Sequence, residues 1–352
     1  MPNLVDLRSD TVTKPTPEMR RVMAEAPVGD DVFGEDPSIN ALQEKAAAVL
    51  EFEDALFVPS GTMANQLAIR ILTRPGDEIL IEAGAHPYNN EGGAAAVISS
   101  VQFKTLPAER GLLSPEQIEN SIRPENIHFT PTRAVFIENT SNQGGGTVYP
   151  METIAAIRDV ANAHNLVMHM DGARLFNACV ASGHKPAAFA RHFETVSFCL
   201  SKGLGAPVGS ILAGSKPLIK EALRWRKVLG GGMRQAGILA AAGIYALDNN
   251  VDRLAEDHDN AKFLARGLAE LEGIEISPEN VETNLVIFRT NLPQISAPEL
   301  AAGLMERDVL VLAFGPHLIR AVTHLDVDRA GIDKALEAFK QILEKEKCNK
   351  PA

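Results

Sequence analysis

The stretch "VSFCLSKGLGAPVGS" (residues 196–210) joins an apolar run to a glycine-rich turn, and Lys202 stands at the junction. A lysine buried beside a strand is costly unless its charge is paired or its pKa is lowered. The flanking glycines allow a sharp turn and a close approach of a ligand. Lys202 is therefore either a surface residue after a strand or an amine that forms a Schiff base with an aldehyde in a pocket.

Outward from this stretch, short apolar runs alternate with helical patterns between about residues 40 and 250. The strand-like runs are "ALFVP" (55–59), "EILIE" (78–82), "AVFIE" (134–138), "LVMHM" (166–170), "VSFCL" (196–200) and "SILAG" (210–214). Helical patterns at 61–74 and 151–165 lie between them, and "SPEQ" at Ser114 has the residues of a capping box. Such alternation predicts an α/β fold, with a mostly parallel central sheet covered by helices on both faces.

The pattern changes after the long helical stretch at 237–271. Shorter strands and two further helical patterns follow, which predict a smaller α+β domain. A chain of 352 residues also exceeds the usual size of one compact core. We therefore expect an N-terminal arm and large domain over residues 1–250, and a small C-terminal domain over residues 251–352.

Composition narrows the class of protein. A formal net charge of -11 argues against nucleic acid or an anionic membrane as the main partner. The three cysteines have no metal-like spacing, which argues against a zinc site or disulfide framework and favours a reducing compartment. The sequence has neither a signal-peptide pattern nor a run of ~20 apolar residues. We expect a cytoplasmic protein.

Polar residues follow several predicted strands, at the sheet edge where α/β proteins gather their chemistry. Asp171 ends "LVMHMD" and either caps the next helix or pairs with a protonated ring nitrogen of a pyridine cofactor. Gly61 and Thr62 begin a helix whose free N–H groups can bind an anion. Together with Lys202, this set describes an enzyme that uses pyridoxal 5'-phosphate.

Basic residues surround three glycines in "RWRKVLGGGMRQ" (224–235). Lys227 and Arg234 belong to this segment. A helix that ends in basic residues and glycine is well capped, which is the simplest interpretation. Three consecutive glycines also suggest close approach to a ligand or a neighbouring chain.

Seven stretches identify a family: "DLRSDTVTKP" (6–15), "PVGDDVFGEDPSINALQ" (27–43), "GAHPY" (84–88), "HMDGARLFNA" (169–178), "CLSKGLGAPVGS" (199–210), "RWRKVLGGGMRQAGILAAAGIYAL" (224–247) and "VTHLDV" (322–327). On these residues the chain closely resembles the low-specificity L-threonine aldolases. These are fold-type I pyridoxal-phosphate enzymes of the aromatic amino acid β-eliminating lyase group. The resemblance spans nearly the whole chain.

By this resemblance, Lys202 carries the cofactor aldehyde and Asp171 pairs with the pyridine nitrogen. Gly61 and Thr62 hold the phosphate, and His86 stacks on the cofactor ring as a catalytic residue. Without the resemblance, His86 would be interpreted as a loop histidine that caps a helix.

The resemblance also implies shared active sites. Arg234 and Lys227 would reach the cofactor of a neighbouring subunit, in a homodimer or homotetramer. Ser9, Arg174 and Arg320 would bind the carboxylate of an amino-acid substrate, with Arg174 close to the cofactor as well. A guanidinium suits this role because it grips a carboxylate through two hydrogen bonds.

Two residues depart from the family pattern. Ser141 in "ENTSN" stands where the family has a histidine near the substrate hydroxyl, and Phe33 replaces a common tyrosine. Serine is a poor general base, so either water or His86 takes the proton, or the substrate differs. If the substrate is threonine, Ser141 lies near its hydroxyl, and Ser141→His would raise threonine cleavage.

The expected function is retro-aldol cleavage of L-threonine or L-allo-threonine to glycine and acetaldehyde. Two alternatives stay open at this point. The first is β-elimination or cleavage of another β-hydroxy amino acid, which Ser141 favours. The second is a cofactor-binding protein without turnover, although the presence of both Lys202 and Asp171 counts against it.

Overall fold

The structure is a computed structural model that describes residues 4–291 and 295–348. The helices are α1 (Pro17–Ala24), α2 (Pro37–Leu50), α3 (Gly61–Leu72), α4 (His86–Asn89), α5 (Pro115–Glu119), α6 (Met151–Ala163), α7 (Leu175–Ser182), α8 (Pro186–Ala190), α9 (Lys216–Val228), α10 (Gly237–Asn249), α11 (Leu254–Ala269), α12 (Ala297–Met305) and α13 (Arg329–Cys348). The strands are β1 (Val5–Asp6), β2 (Asp54–Val58), β3 (Glu78–Glu82), β4 (Gln102–Leu106), β5 (Thr132–Glu138), β6 (Val167–Gly172), β7 (Thr195–Cys199), β8 (Ser210–Gly214), β9 (Ile274–Glu275), β10 (Leu285–Thr290), β11 (Val309–Leu310), β12 (Leu312–Ala313) and β13 (Leu318–Val322).

A seven-stranded sheet organises residues Pro15–Val251, in the order β2-β8-β7-β6-β5-β3-β4. The five strands β3, β4, β5, β6 and β7 run parallel to one another. Strand β8 is antiparallel to both β7 and β2. Every residue of β7 and β8 is buried, as expected for apolar strands covered by helices on both faces. The predicted α/β fold with a mostly parallel sheet is confirmed.

Helix α3 shows how the sequence builds this unit. Ser60 caps its start by accepting a hydrogen bond from the backbone N–H of Met63, a contact that stabilises a helix by about 1 kcal/mol. The apolar residues of α3 lie in one buried cluster with residues of β2, β3 and α9. The helix is thereby held with its first residues beside the sheet.

A second compact unit contains residues 4–14 together with the chain from Asp252 onward. Its four-stranded antiparallel sheet has the order β12-β13-β10-β9. Helices α11, α12 and α13 pack on an apolar core that includes Leu264, Phe288 and Phe339. Strand β1 belongs here because Val5 pairs with Val309 of β11. The predicted domain boundary at residues 250/251 stays a prediction. Residues 4–14, which were expected to belong to the large domain, have their contacts in the second unit.

Among the residues that the structure describes, no helix is both long enough and apolar enough to cross a membrane.

Candidate active site

Three parallel strands bring their carboxyl ends to one edge of the large sheet. Asp171 on β6 pairs in register with Glu138 on β5 and with Ser197 on β7. Lys202 follows the end of β7 by three residues, in the turn where its carbonyl accepts from the N–H of Gly205. The structure therefore places the predicted lysine and aspartate on neighbouring strand ends.

The buried Asp171 carboxylate is fixed by two donors. Its Oδ2 accepts from the Asn65 side chain at 2.7 Å, and its Oδ1 accepts from the backbone N–H of Ala173 at 3.1 Å. Asp171 is only 4% exposed. An anion held in this way can keep a proton on a ring nitrogen, because separating the two charges in a buried site is costly.

Asn65 on α3 connects several buried polar groups. Its Nδ2 donates to Glu91 at 2.8 Å as well as to Asp171, and its Oδ1 accepts from the Ser197 hydroxyl at 3.1 Å. The same oxygen lies 3.2 Å from Nε2 of His169. Burial lowers the pKa of His169 to about 4, so this ring is neutral near pH 7. Sequence reasoning missed Asn65, although a buried polar residue on an apolar helix face was a usable signal.

His86 begins α4 and lies among charged groups. Its Nδ1 is 2.9 Å from Oε1 of Glu91. A ring nitrogen of His86 and one carboxylate oxygen each of Glu91 and Asp171 all lie within 4.8 Å of one another. The hydrogen bond to Glu91 raises the pKa of His86, the nearby Asp171 adds to the rise, and burial and Lys202 oppose it. His86 is thus close enough to Asp171 and Lys202 to sense both charges.

Glu138, at the end of β5, is hydrogen-bonded to two loops near His86. Its carboxylate accepts from the backbone N–H of His86 at 2.6 Å and from that of Asn142 at 2.7 Å. Burial, with a further contribution from the Asp171 charge, raises the pKa of Glu138 to about 7. The sequence showed a glutamate at the end of the apolar run "AVFIE", but its role was not predicted.

The predicted phosphate site lies at the start of α3, where Gly61 and Thr62 are the first helical residues. A Cβ on Gly61 would lie 2.9 Å from Sγ of Cys199 and 3.7 Å from Oγ of Ser210. A side chain at position 61 would therefore be crowded where this helix start meets β7 and β8. The first N–H groups of a helix have no intrahelical acceptor, which fits a phosphate group.

Ser141 and Arg174 follow the carboxyl ends of β5 and β6. The Ser141 hydroxyl is buried in its own loop, where it accepts from the N–H of Gly144 at 3.1 Å. A Cβ on Gly111 would overlap that hydroxyl. Arg174 precedes α7, is buried, and has Nη1 3.5 Å from Oδ1 of Asn142.

The last turn of α9 and the glycine segment after it carry the remaining basic residues. Lys227 is exposed, and Arg234 is exposed as well, with Nη1 at 2.8 Å from Oδ2 of Asp30. Arg226 differs from both, since it is buried in an ion pair with Asp31 at 2.7 Å. The contribution of Lys227 and Arg234 to a neighbouring subunit stays a prediction.

The second unit brings together two predicted substrate ligands. Arg320 on β13 is buried, and its Nη2 donates to the carbonyl of Arg8 at 3.2 Å. The next residue, Ser9, accepts from the N–H and the hydroxyl of Thr11 at 3.2 and 2.8 Å. Ser9 and Arg320 therefore lie beside the same short segment.

The chain is similar to known proteins over most of its length. The family model described as beta-eliminating lyase matches residues 6–291. The low specificity L-threonine aldolase of Escherichia coli K12 is 45% identical over 327 residues, which cover 93% of this chain and 95% of that protein. Low-specificity L-threonine aldolase 1 of Arabidopsis thaliana is 40% identical, with 96% of each chain covered. A solved structure of Leishmania major threonine aldolase superposes with a TM-score of 0.82 at 22% identity, covering 96% of this chain and 99% of that one, which shows the shared fold.

Proposed function

We infer the function from the premise that this chain belongs to the beta-eliminating lyase family and, within it, to the low-specificity L-threonine aldolases. The chain is a pyridoxal-phosphate-dependent aldehyde-lyase. It cleaves β-hydroxy-α-amino acids such as L-threonine and L-allo-threonine to glycine and an aldehyde. The observation that carries this function is the buried Asp171 on the strand next to the one that leads to Lys202.

The residues at this edge fit the cofactor. The Lys202 amine would hold its aldehyde, Asp171 would keep its ring nitrogen protonated, and the first N–H groups of α3 at Gly61 and Thr62 would bind its phosphate. A side chain at position 61 would fill the space at this helix start, since its Cβ would contact Cys199. The bound cofactor supplies an electron sink for the pair released when the Cα–Cβ bond breaks.

Binding of the substrate carboxylate would orient the substrate for cleavage. Arg174, which is buried beside Asn142, would grip its carboxylate, and a fixed carboxylate aligns the breaking Cα–Cβ bond. As this bond breaks, the β-hydroxyl loses its proton and its carbon becomes the carbonyl of the released aldehyde. A proton added at Cα then completes glycine.

His86 is the side chain best suited to take the β-hydroxyl proton. The Ser141 hydroxyl is used within its own loop, whereas the His86 side chain is 36% exposed and lies within 4.8 Å of the Asp171 carboxylate. An imidazole accepts a proton only when neutral, so cleavage should rise with pH as His86 loses its charge. Since the hydrogen bond to Glu91 raises the pKa of His86, this rise is expected at a higher pH than for an ordinary histidine.

Two alternative functions were open from the sequence. β-Elimination was suggested by Ser141, but relatives at 40–45% identity are L-threonine aldolases. A protein without turnover would not need both the lysine and the buried aspartate.

We propose a cytoplasmic homodimer or homotetramer in which Lys227 and Arg234 complete the cofactor site of a neighbouring subunit. Exposed Phe33 (73%) and Arg234 support a contact at this surface. Light scattering after size-exclusion chromatography tests the assembly, and a monomer that retains full activity would overturn it.

The deciding experiment is a substrate panel on cofactor-loaded protein. Aldehyde release from threonine, allo-threonine and phenylserine is followed with alcohol dehydrogenase, and glycine is measured directly. Lys202→Ala should lose both cleavage and the long-wavelength absorbance that borohydride removes, while the exposed Lys220→Ala retains them. Formation of a keto acid and ammonia instead of glycine would show elimination.

A further inference from the structure

Glu91 is a buried carboxylate that directly contacts His86. We propose that Glu91 is a positioning residue, which holds the His86 ring with Nδ1 protonated and leaves Nε2 to take the β-hydroxyl proton of the substrate. This inference rests on the proposed function, in which His86 is the general base.

Three side-chain donors converge on the Glu91 carboxylate. Its Oε1 accepts from Nδ1 of His86 at 2.9 Å and from Nδ2 of Asn65 at 2.8 Å, and its Oε2 accepts from Nε2 of Gln66 at 2.7 Å. The Glu91 side chain is 0% exposed. Three N–H bonds from separate side chains hold this carboxylate in place beside the ring.

The contact fixes which nitrogen of His86 can react. An ionised carboxylate only accepts hydrogen bonds, so Nδ1 carries the proton and Nε2 is the basic atom of the neutral ring. A buried carboxylate orients an imidazole and stabilises its charged form in the same way in serine hydrolases. The charged groups that face His86 are Glu91, Asp171 and Lys202, and Glu138 binds its backbone N–H.

Glu91→Gln removes the charge with little change in shape. The new amide oxygen can accept from His86 and Asn65, while the new amide nitrogen needs an acceptor. Gln66 can supply that acceptor by rotating its amide, since its Oε1 is buried without a hydrogen-bond partner among the described residues. The variant is therefore expected to fold.

The test combines kinetics with titration of the ring. In Glu91→Gln, kcat should fall by about tenfold to hundredfold, part of what a general base contributes. KM should change little, since the substrate carboxylate is bound elsewhere. The rise of kcat/KM with pH should move to lower pH. The ring ¹⁵N signals of His86, assigned with His86→Asn, should titrate at lower pH as well.

Glu78→Gln provides the matched control. Glu78 is also a buried glutamate, bonded to Arg123 and Gln102, but it begins β3 at the amino end of that strand. This variant should lose stability and leave both the pH profile and the His86 titration where they are in the wild type.

Two results would overturn the role of Glu91. One is an unchanged His86 titration in Glu91→Gln, and the other is a lowered kcat whose pH profile stays that of the wild type. Failure of the proposed function is seen separately, as absence of aldehyde from the wild-type enzyme. In that case the ¹⁵N titration still decides whether Glu91 controls the protonation of His86.

Discussion

Replacing Asn65 by alanine removes the side chain that joins Asp171, Glu91, His169 and Ser197. Two of its four contacts are donations to carboxylates, each worth about 1.5–3 kcal/mol, and the other two are weaker neutral contacts of about 1 kcal/mol. Water that enters the vacated space recovers part of this loss. We expect the free energy of unfolding to fall by about 3–5 kcal/mol.

The single tryptophan of the chain is well placed to report this loss. Trp225 on α9 lies in the same unit as Asn65, and the guanidinium of Arg70 on α3 lies 4.3 Å from its ring centroid. Urea unfolding of the cofactor-free protein, followed by Trp225 fluorescence, therefore monitors the packing of α3. Separately, weaker support of Asp171 should raise the Kd for pyridoxal 5'-phosphate by about tenfold, equivalent to ~1.4 kcal/mol.

Two further variants make the test specific. Asn249→Ala removes one exposed hydrogen bond at the end of α10 and should cost less than about 0.5 kcal/mol. Asn65→Asp keeps the shape but adds a third carboxylate beside Asp171 and Glu91, so it should destabilise at least as much as alanine. A loss below about 1 kcal/mol for Asn65→Ala would refute the argument that this residue holds the site together.

Three other predictions concern stability and packing. The raised pKa of Glu138 means that its contribution to stability, full below the unfolded value near 4.5, is lost as pH rises through about 7. Relative to the wild type, Glu138→Gln should therefore gain about 1 kcal/mol per pH unit in that window, and a constant difference in urea midpoints would contradict this. Gly61→Ala should cost about 1–3 kcal/mol, because its Cβ would lie 2.9 Å from Sγ of Cys199. Cys199→Ala should relieve much of that cost in the double variant, whereas strictly additive losses in thermal unfolding would count against the contact. Finally, Ser141 packs closely against Gly111, so that Ser141→His should lower both stability and threonine cleavage; faster aldehyde release would instead support the prediction made from sequence.

Much of the large unit was predictable from local sequence patterns. All six apolar runs are strands, and Ser114 forms the predicted capping box with Gln117. Strand β4 was missed because it lies at the sheet edge, where "QFKTL" is largely only part-buried and lacks a continuous apolar run. Edge strands need fewer apolar residues because a neighbour covers them on one side only.

The α/β fold class could be predicted from local sequence because apolar runs and glycines mark where strands end, and the same runs place Asp171 and Lys202 at the ends of strands. The contacts of Asn65, Glu91 and Glu138 become visible only in the folded chain. Asn65 and Asp171 are 106 positions apart, and they meet because the sheet order and the helix packing bring them together. Hydrogen bonds between distant side chains depend on that three-dimensional register, which no local pattern of residues encodes.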